Sequence, residues 1–248
     1  MKSVFSKAFE SRREAVLQAI GQFDSGGELL VRGKRNTLKV FSLDGLDLNV
    51  KAFKVPHFIN AFIYRWIRPS KARRSFEYAQ KLTALQIGTP APIAYFEEGR
   101  WLMGRSYYAC RHLKADFTFR ALVDNPQLPD RETIAREWTA FFYDIHEKGV
   151  EFIDNTPGNT LICTQDGRYR FFLVDLNRMK FHPMDRNMRL MNLAKITRDP
   201  DLIKIIATHY ASLYGCDPAA FEADLTHLVN GFQQRLQRRK NIKKKLGK

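Results

Sequence analysis

Residues 151–162 read Glu-Phe-Ile-Asp-Asn-Thr-Pro-Gly-Asn-Thr-Leu-Ile, and the apolar run Phe-Phe-Leu-Val at 171–174 leads into Asp175. Asp154 and Asn159 enclose four residues, and Asp175 follows Asn159 sixteen positions later. The stretch lies between a long amphipathic segment and an apolar one, which predicts the order helix, loop, strand. The strand before Asp175 would bring its carboxylate back beside Asn159. Carboxylate and carboxamide oxygens at one place suit Mg²⁺.

Kinase-type phosphotransferases place a base and two magnesium ligands around a γ-phosphate in this order. We therefore predict that Asp154 is the catalytic base and that Asn159 and Asp175 are magnesium ligands. Taken separately, the residues have simpler interpretations. Asn155-Thr-Pro-Gly158 forms turns by composition, so Asp154 and Asn159 could cap a surface loop, and an acidic residue at a strand end is common. The order of the surrounding elements favours the catalytic interpretation.

The composition supports a folded protein with an anionic partner. The 248 residues are 44% apolar and 12% aromatic, enough for one large domain or two small lobes. Lys and Arg total 41 against 26 for Asp and Glu, a formal charge of +15. This charge favours a nucleotide, a nucleic acid, a phosphorylated glycolipid or a membrane surface. The segment Arg235–Lys248 holds eight basic residues and no acidic ones.

Cysteine usage and hydropathy bear on the compartment. Cys110, Cys163 and Cys216 are far apart and odd in number, which argues against a disulfide framework or a zinc knuckle. The first ten residues are interrupted by charge, and no later run approaches the roughly 20 apolar residues of a membrane span. We expect a cytoplasmic protein, or a peripheral one on the inner face of the cytoplasmic membrane.

The N-terminal half is expected to be rich in β-strands. Residues 1–23 resemble an amphipathic helix, and a three-stranded antiparallel meander is predicted at Leu29–Val31, Leu38–Phe41 and Leu46–Phe53. Ser70 is a plausible N-cap for a helix that carries Phe76, Ala79, Leu82 and Leu85 on one face. Two further strands are predicted near Ile93–Phe96 and Ser106–Cys110.

The C-terminal half is expected to be mostly helical. One helix is predicted over 116–123, and a longer one over Arg131–Lys148 has a buried stripe of Ile134, Trp138, Phe141 and Ile145 and ends at Gly149. Two or three helices fill 188–236. The fold class is therefore α+β. We predict an N-terminal β lobe with one main helix over 1–111, a helical lobe over 112–234, and a basic tail over 235–248 that is frayed or partly helical.

A cation for the nucleotide phosphates is expected in the N-terminal lobe. Lys51, on the third strand, stands where the Val-Ala-Ile-Lys element of kinases would put it. Lys54 is an alternative, but Leu48 and Val50 form an alternating buried face that favours Lys51. Glu77 is the only acid between Arg73 and Gln86 and is the expected partner of Lys51. Its simpler interpretation is an exposed i,i+4 pair with Lys81.

The phosphate-covering loop is the least specific element. Gly33-Lys-Arg-Asn36 lies between the first two strands but has one glycine, not the three of G-x-G-x-x-G. Gly33 and Asn36 could cradle phosphate with their backbone amides, helped by Lys34 and Arg35, or the segment could be a plain basic hairpin. The segment does not match a P-loop, because Arg35 stands where Ser or Thr should hold magnesium. His146-Glu147 lacks the second histidine of a zinc-binding helix.

Several short motifs occur in an order that points to one family. They are Val50-Lys51-x-Phe53, Ser70-Lys-Ala-Arg-Arg-Ser-Phe-Glu77, Gly88-Thr-Pro-x-Pro92-Ile, Ser106-Tyr-Tyr108, Asp154-x4-Asn159 and Val174-Asp-Leu-Asn-Arg178. From about Leu29 to Leu193 the chain resembles bacterial lipopolysaccharide-core kinases, the Kdo/heptose kinase group, which are small relatives of protein kinases. No single motif is specific, and the resemblance rests on their order and spacing.

The resemblance implies a bilobal protein-kinase-like fold with ATP and Mg²⁺ between the lobes. It implies that Asp154 acts as base toward a sugar hydroxyl, more plausibly of Kdo than of a heptose, and that Glu77 holds Lys51 against the α- and β-phosphates. Phe152 departs from the family pattern, since many kinases keep a histidine there. Asp175-Leu-Asn177 replaces Asp-Phe-Gly, and no Ala-Pro-Glu segment follows. These departures favour a small or lipid-linked acceptor over a protein.

The positive charge fits a lipopolysaccharide core or lipid A precursor and an anionic membrane surface as partners. The basic residues Arg65, Arg68, Lys71, Arg73 and Arg74, beside Phe62, Tyr64 and Trp66, could meet anionic headgroups together with the tail. The alternative is a solvated basic helix with its aromatics packed inside. Other functions stay open: a protein or small-molecule kinase, a nucleotide-binding scaffold without turnover, and a nucleic-acid binder, which the lack of an RNA-recognition signature disfavours.

Overall fold

The computed structural model describes residues 1–33, 36–55, 69–99 and 104–245. The chain forms two compact units. The N-terminal unit contains Met1–Lys114 together with Asp175–Asn177, and the C-terminal unit contains Ala115–Val174 and the chain from Arg178 onward. Within the described ranges, no helix combines the length and the apolar character that a membrane span requires.

An antiparallel sheet forms the centre of the N-terminal unit. Its six strands are β1 (Lys2–Phe5), β2 (Glu28–Arg32), β3 (Asn36–Leu43), β4 (Leu46–Phe53), β5 (Pro92–Glu97) and β6 (Ser106–Arg111). They lie in the order β1-β5-β6-β4-β3-β2. The predicted meander is confirmed as β2-β3-β4. Gly45, in the two-residue turn between β3 and β4, has a φ of 69°, a left-handed conformation that glycine adopts without steric cost.

Residues of β4 alternate between a buried face and a more open one. Leu48 and Val50 are fully buried and belong to a core that also contains Val16 and Ile20 of helix α1 (Arg13–Gly21). Lys51 is partly exposed and lies on the other face of β4, because successive side chains of a strand point to opposite sides. The alternation predicted from Leu48 and Val50 is therefore confirmed.

Helix α2 (Lys71–Ala84) begins where the sequence indicated. The Ser70 side chain accepts a hydrogen bond from the Arg73 amide at 3.0 Å, as an N-cap should. Phe76, Ala79 and Leu82 are buried, and the Phe76 ring lies 5.4 Å from that of Tyr95 on β5. Leu85, the fourth residue of the predicted face, follows the last helical residue and is partly exposed.

The prediction of a single helix over residues 1–23 is wrong. The chain there forms β1, a 3₁₀ helix over Lys7–Arg12 and then α1. Strand β1 pairs with β5, where Phe5 lies opposite Ala94, and the Phe5 ring meets the edge of Phe96 at 5.5 Å. The partner strand is about ninety residues away in sequence, so local periodicity could not show that this pairing would outweigh helix formation.

The C-terminal unit contains helices α3 (Arg120–Asp124), α4 (Arg131–Glu147), α5 (Arg186–Leu193), α6 (Pro200–Tyr214) and α7 (Pro218–Lys245). Asp185 caps α5 through the Met188 amide, and Asp199 caps α6 through the Leu202 amide. Helix α7 continues through most of the segment predicted to be frayed. Its Gln, Arg and Lys residues are good helix formers, so the periodic helix extends without a stop signal.

Helix α4 supplies the core of the C-terminal unit and leads to the predicted loop. Trp138, Phe142 and Ile145 are fully buried. Phe141, which the pattern placed on the buried stripe, is only partly buried and stacks on Phe171 with centroids 5.5 Å apart. Gly149 follows the helix with a φ of 68°, as predicted for its end. A Cβ at Gly149 would lie 3.0 Å from the His182 carbonyl oxygen, so a larger residue would be strained by its backbone conformation and by this contact.

Five short strands complete the C-terminal unit: β7 (Phe117–Thr118), β8 (Val150–Phe152), β9 (Thr160–Gln165), β10 (Arg168–Leu173) and β11 (Met179–Phe181). They form the sheets β10-β9-β7 and β11-β8. The helix predicted over 116–123 is partly wrong, since Phe117 pairs with Ile162 and the helix begins only at Arg120. Strands β8 and β9 enclose residues 153–159, which is the predicted loop.

Candidate active site

The contact between Lys51 and Asp175 is the central feature of the N-terminal unit. The Lys51 ammonium donates to Asp175 Oδ1 at 2.7 Å, and Asn177 Nδ2 donates to the same oxygen at 2.6 Å. Asp175 has a φ of 61°, a left-handed conformation that aspartate tolerates better than most residues. Such conformations often occur where function fixes a side chain. Two predicted site residues that are 124 positions apart therefore meet.

Lys51 and Lys54 are distinguished by their positions. The Lys51 side chain is 13% exposed and holds the Asp175 carboxylate, whereas Lys54 is exposed beyond the end of β4. We expect Lys51→Met to lower kcat/KM for ATP-dependent transfer by about 10²- to 10³-fold, the usual cost of removing one fixed donor from a developing charge. Lys54→Met, a loss of charge three residues away, should stay within about twofold by the same reasoning. Equal losses in both variants, measured with labelled ATP, would contradict this distinction.

Glu77 does not hold Lys51. Its Oε1 accepts from Arg73 Nε at 2.7 Å, one helical turn earlier on α2, while Lys51 pairs with Asp175. The hydrogen bond to Glu77 raises the pKa of Arg73. The Lys51–Glu77 pair predicted from the sequence is therefore wrong, because each residue has a nearer partner of opposite charge. The side chains of Arg73 and Glu77 are each more than a third exposed, so their i,i+4 ion pair contributes little to stability.

Gly33 and Asn36 close the hairpin between β2 and β3. The Gly33 amide donates to the Asn36 carbonyl at 2.9 Å. A Cβ at Gly33 would lie 2.8 Å from Asn36 Oδ1, so the side chain of Asn36 occupies the space that a larger residue would need. Lys34 and Arg35, which were predicted to add charge here, lie outside the described residues. The close contact favours glycine at position 33, and phosphate binding at this hairpin stays a prediction.

Of the predicted basic and aromatic surface, Phe62, Tyr64, Arg65, Trp66 and Arg68 also lie outside the described residues. Arg74, on α2, is 6% exposed. It is therefore not part of a solvent-facing basic surface, contrary to the prediction. Arg73 is engaged by Glu77. Arg74 lies about 200° around α2 from Phe76, so its burial is on another side of the helix, which a count of basic residues could not show.

Asp154 and Asn159 share one loop of the C-terminal unit, as predicted. Asn159 ends a short 3₁₀ helix, Pro157–Asn159, and its Nδ2 donates to the Asp154 carbonyl at 2.9 Å. The Val174 amide donates to the Asn159 carbonyl at 3.0 Å. With its nitrogen turned toward Asp154, the carboxamide of Asn159 directs Oδ1 to the other side, and Oδ1 is the atom a cation would bind. The loop backbone at Asp154 is thus fixed by the predicted metal ligand.

The Asp154 carboxylate lies in a basic environment. Its Oδ1 is 3.0 Å from Arg178 Nη1, and the side chain of Asp154 is 23% exposed against 60% for Arg178. Lys195 Nζ donates to the carbonyl of Ile153, the preceding residue, at 3.0 Å. Neither cation was identified from the sequence, although Arg178 lies within the quoted Val174–Arg178 motif.

A buried polar network supports this loop from behind. His146, at the end of α4, contacts Tyr210 Oη through Nδ1 at 2.8 Å and Asn192 Oδ1 through Nε2 at 3.2 Å. Asn192 Nδ2 donates to the Phe152 carbonyl at 2.8 Å, and Asn155 Nδ2 donates to the Asn192 carbonyl at 3.1 Å. All four side chains of this network are buried.

The network determines the state of the histidine. Because Asn192 donates through its nitrogen, its Oδ1 must accept, so His146 Nε2 carries the proton and Nδ1 accepts from the Tyr210 hydroxyl. Burial lowers the pKa of His146 to about 4, so the ring is neutral near pH 7. The sequence indicated no role for His146 beyond the incomplete zinc-binding pattern. A signal was present, since His146 continues the spacing of Trp138 and Phe142 as a polar residue on an apolar face.

No protein-family model matches the chain, and no curated protein matches it in sequence. Solved structures do match. A structure described as WaaP in complex with acyl carrier protein covers 96% of this chain and 99% of its own, with a TM-score of 0.65 and 14% identity. The Rio2 kinase of Chaetomium thermophilum, in a complex with ADP, Mg²⁺ and phosphoaspartate, covers 87% of this chain and 65% of its own with a TM-score of 0.49 and 14% identity.

A third structure, the PknI kinase domain of Mycobacterium tuberculosis, covers 80% of this chain and 81% of its own with a TM-score of 0.46 and 16% identity. The WaaP match extends over both units and nearly the whole of each chain. The predicted order of an antiparallel β lobe followed by a helical lobe agrees with this match. The chain therefore has the two-unit, protein-kinase-like α+β fold that it shares with WaaP.

Proposed function

We propose that this protein is an ATP- and Mg²⁺-dependent kinase that phosphorylates a sugar hydroxyl of the lipopolysaccharide inner core, with Kdo as the favoured acceptor. The observation that carries the proposal is the 2.7 Å contact between Lys51 and Asp175. Lys51 was assigned to the phosphates and Asp175 to the metal from two separate stretches of sequence, and the two side chains are in contact. This contact supports one common ligand for both residues, a metal-bound triphosphate.

The residues fit a magnesium ion by their chemistry. Asp175 offers a carboxylate and Asn159 a carboxamide oxygen, which are hard ligands that Mg²⁺ accepts beside water and nucleotide phosphates. When bound, Mg²⁺ neutralises charge on the β- and γ-phosphates. We assign Asn159 and Asp175 to this ion and Lys51 to the α- and β-phosphates. Gly33 and Asn36 remain candidates for phosphate contacts. Glu77 is assigned to Arg73 and not to Lys51.

Asp154 is assigned to the acceptor. Its carboxylate takes the proton of the acceptor hydroxyl as the oxygen forms a bond to the γ-phosphorus. The bond from that phosphorus to the β,γ-bridging oxygen breaks, and ADP leaves with the electron pair. Arg178 holds one oxygen of the carboxylate at 3.0 Å and the Asn159 amide holds the backbone, so the base is oriented before the acceptor binds.

A peripheral position at the cytoplasmic membrane face is part of the proposal. Arg235 and Arg238 are exposed on α7, whose sequence continues into the basic end of the chain. A basic residue near an anionic surface contributes roughly 1 kcal/mol. This charge would bring the protein to the surface that carries a lipid-linked acceptor.

Incubation of the purified protein with labelled ATP, Mg²⁺ and a panel of acceptors tests the proposal. The panel contains Kdo-lipid A, a deacylated core sugar, an aminoglycoside and a generic protein. We expect label in Kdo-lipid A, dependent on Mg²⁺. Label confined to the protein would reject the sugar-lipid assignment in favour of a protein kinase. ATP binding without hydrolysis or transfer to any acceptor would favour the nucleotide-binding scaffold.

A further inference from the structure

Lys195, just after α5, is a cation with few partners. It is partly buried, and burial lowers its pKa, since the charged form loses hydration. Among the described residues the Ile153 carbonyl is the only hydrogen-bond acceptor of its ammonium, and no carboxylate there forms an ion pair with it. The ammonium can donate three hydrogen bonds. Donors thus stay available beside the residue that precedes Asp154.

Lys39 of the N-terminal unit shows what a structural lysine looks like in this protein. Its ammonium is buried and donates to the carbonyls of Phe23 and Gly26 at 2.7 Å each and of Asp24 at 3.4 Å. Three acceptors satisfy its three donors. A partly buried ammonium with one protein acceptor leaves its other two donors to water or to a ligand. Lys195 therefore has donors that a ligand can take, and Lys39 does not.

Arg178 provides the second cation. One of its nitrogens is 3.0 Å from Asp154 Oδ1, and its side chain is 60% exposed, so the remaining guanidinium donors face solvent. Two other basic groups nearby are already engaged: Lys180 lies 3.3 Å and His182 3.0 Å from Glu151 Oε2. In the described part of the chain, Lys195 and Arg178 are therefore two basic groups near Asp154 that keep hydrogen-bond donors for a ligand.

We propose that Lys195 and Arg178 bind a negatively charged group, a carboxylate or a phosphate, that the acceptor carries next to its reacting hydroxyl. The inference rests on the proposed function, because it takes Asp154 as the residue that meets the acceptor. The planar guanidinium recognises a carboxylate or phosphate through paired hydrogen bonds, and the ammonium adds a point charge. Kdo is a sugar acid and a heptose is neutral, so such a site selects the acid.

The experiment measures equilibrium binding to the full-length protein by titration calorimetry at low ionic strength. The probes are free Kdo, its neutral methyl ester, glucosamine 1-phosphate and ATP. The variants are Lys195→Gln, Lys195→Arg and Arg178→Gln, with Lys180→Gln as the matched control, since Lys180 carries the same charge but faces Glu151. Circular dichroism and thermal unfolding confirm that each variant is folded.

We expect wild type to bind Kdo more tightly than its ester, and Lys195→Gln and Arg178→Gln each to weaken Kdo binding by about 10- to 100-fold, the effect of one charged hydrogen bond. Lys195→Arg should retain most of the affinity, and Lys180→Gln all of it. If glucosamine 1-phosphate binds more tightly than Kdo and loses affinity in the same variants, the site is supported with phosphate as its anion.

Two results would overturn the inference. One is equal binding of Kdo and its ester to wild type without any Lys195-dependent binding of glucosamine 1-phosphate. The other is a loss of ATP affinity in Lys195→Gln as large as the loss for Kdo, which would assign the cation to the nucleotide. Binding does not need turnover. Lys195-dependent binding without phosphate transfer would therefore refute the proposed function and leave the anion site standing. Phosphate transfer without a preference for the acid over its ester would refute the anion site and leave the proposed function standing.

Discussion

The Asp154→Asn variant is expected to transfer phosphate about 10²- to 10⁴-fold more slowly than wild type, the usual contribution of a general base. Asparagine keeps the size of the side chain and leaves the backbone carbonyl that Asn159 contacts at 2.9 Å. It removes the proton acceptor and the negative charge opposite Arg178. The rate is measured with labelled ATP at saturating acceptor, so that a loss in kcat is separated from a loss in binding.

Asp166→Asn is the matched control. Asp166 is an exposed carboxylate in the turn between β9 and β10, and its φ of 52° suits asparagine equally well. Its transfer rate should equal that of wild type, and both variants should unfold near the wild-type temperature. Wild-type transfer by a folded Asp154→Asn protein would remove Asp154 from the role of base.

Acid should destabilise the protein through His146. The ring has a pKa of about 4 in the folded protein against 6.5 as its ordinary value. Below pH 6.5 the unfolded chain binds a proton at this residue that the folded chain does not bind until about pH 4. The free energy of unfolding therefore falls as the pH decreases from 6.5 to 4 and changes no further below that, with a total loss of about 3 kcal/mol from this residue.

Urea unfolding across this pH range, for wild type and for His146→Gln, tests the prediction. Glutamine retains a donor toward Asn192 but does not titrate, so its curve should be flatter than that of wild type by the same amount. His227→Gln, which removes an exposed histidine of α7, is the control for the loss of a histidine as such. Parallel curves for wild type and His146→Gln would show that the buried ring does not carry this pH dependence.

The sequence predicted the local features of the fold well. The alternation of Leu48 and Val50, the cap at Ser70 and the stop at Gly149 depend on residues close in the chain, and each is found in the structure. Strands β1, β7, β8 and β11 were missed. They are only two to four residues long, and each pairs with a strand that is distant in sequence. Pairing of this kind is decided by tertiary structure and leaves little periodicity to detect.

The spacing of motifs in the sequence predicted which residues belong to the candidate site. It did not predict which hydrogen-bond and ion-pair partners those residues have. Lys51 and Asp175 meet, and Asp154 and Asn159 share a loop. The predicted partner of Glu77 was wrong, because Arg73, one turn away on α2, binds the carboxylate instead of Lys51. The support of the loop by His146 and Asn192 was missed, since it depends on two helices whose packing no spacing rule specifies.

The passage Asp175–Asn177 belongs to the N-terminal unit although the residues on both sides of it belong to the other unit. The first 114 residues thus cannot by themselves supply the carboxylate that Lys51 contacts. During synthesis on the ribosome, at about 5–20 residues per second, the Lys51 side chain exists for several seconds before Asp175 has been made. A nascent chain or a fragment cut between the units would therefore carry an unneutralised lysine on an otherwise complete sheet.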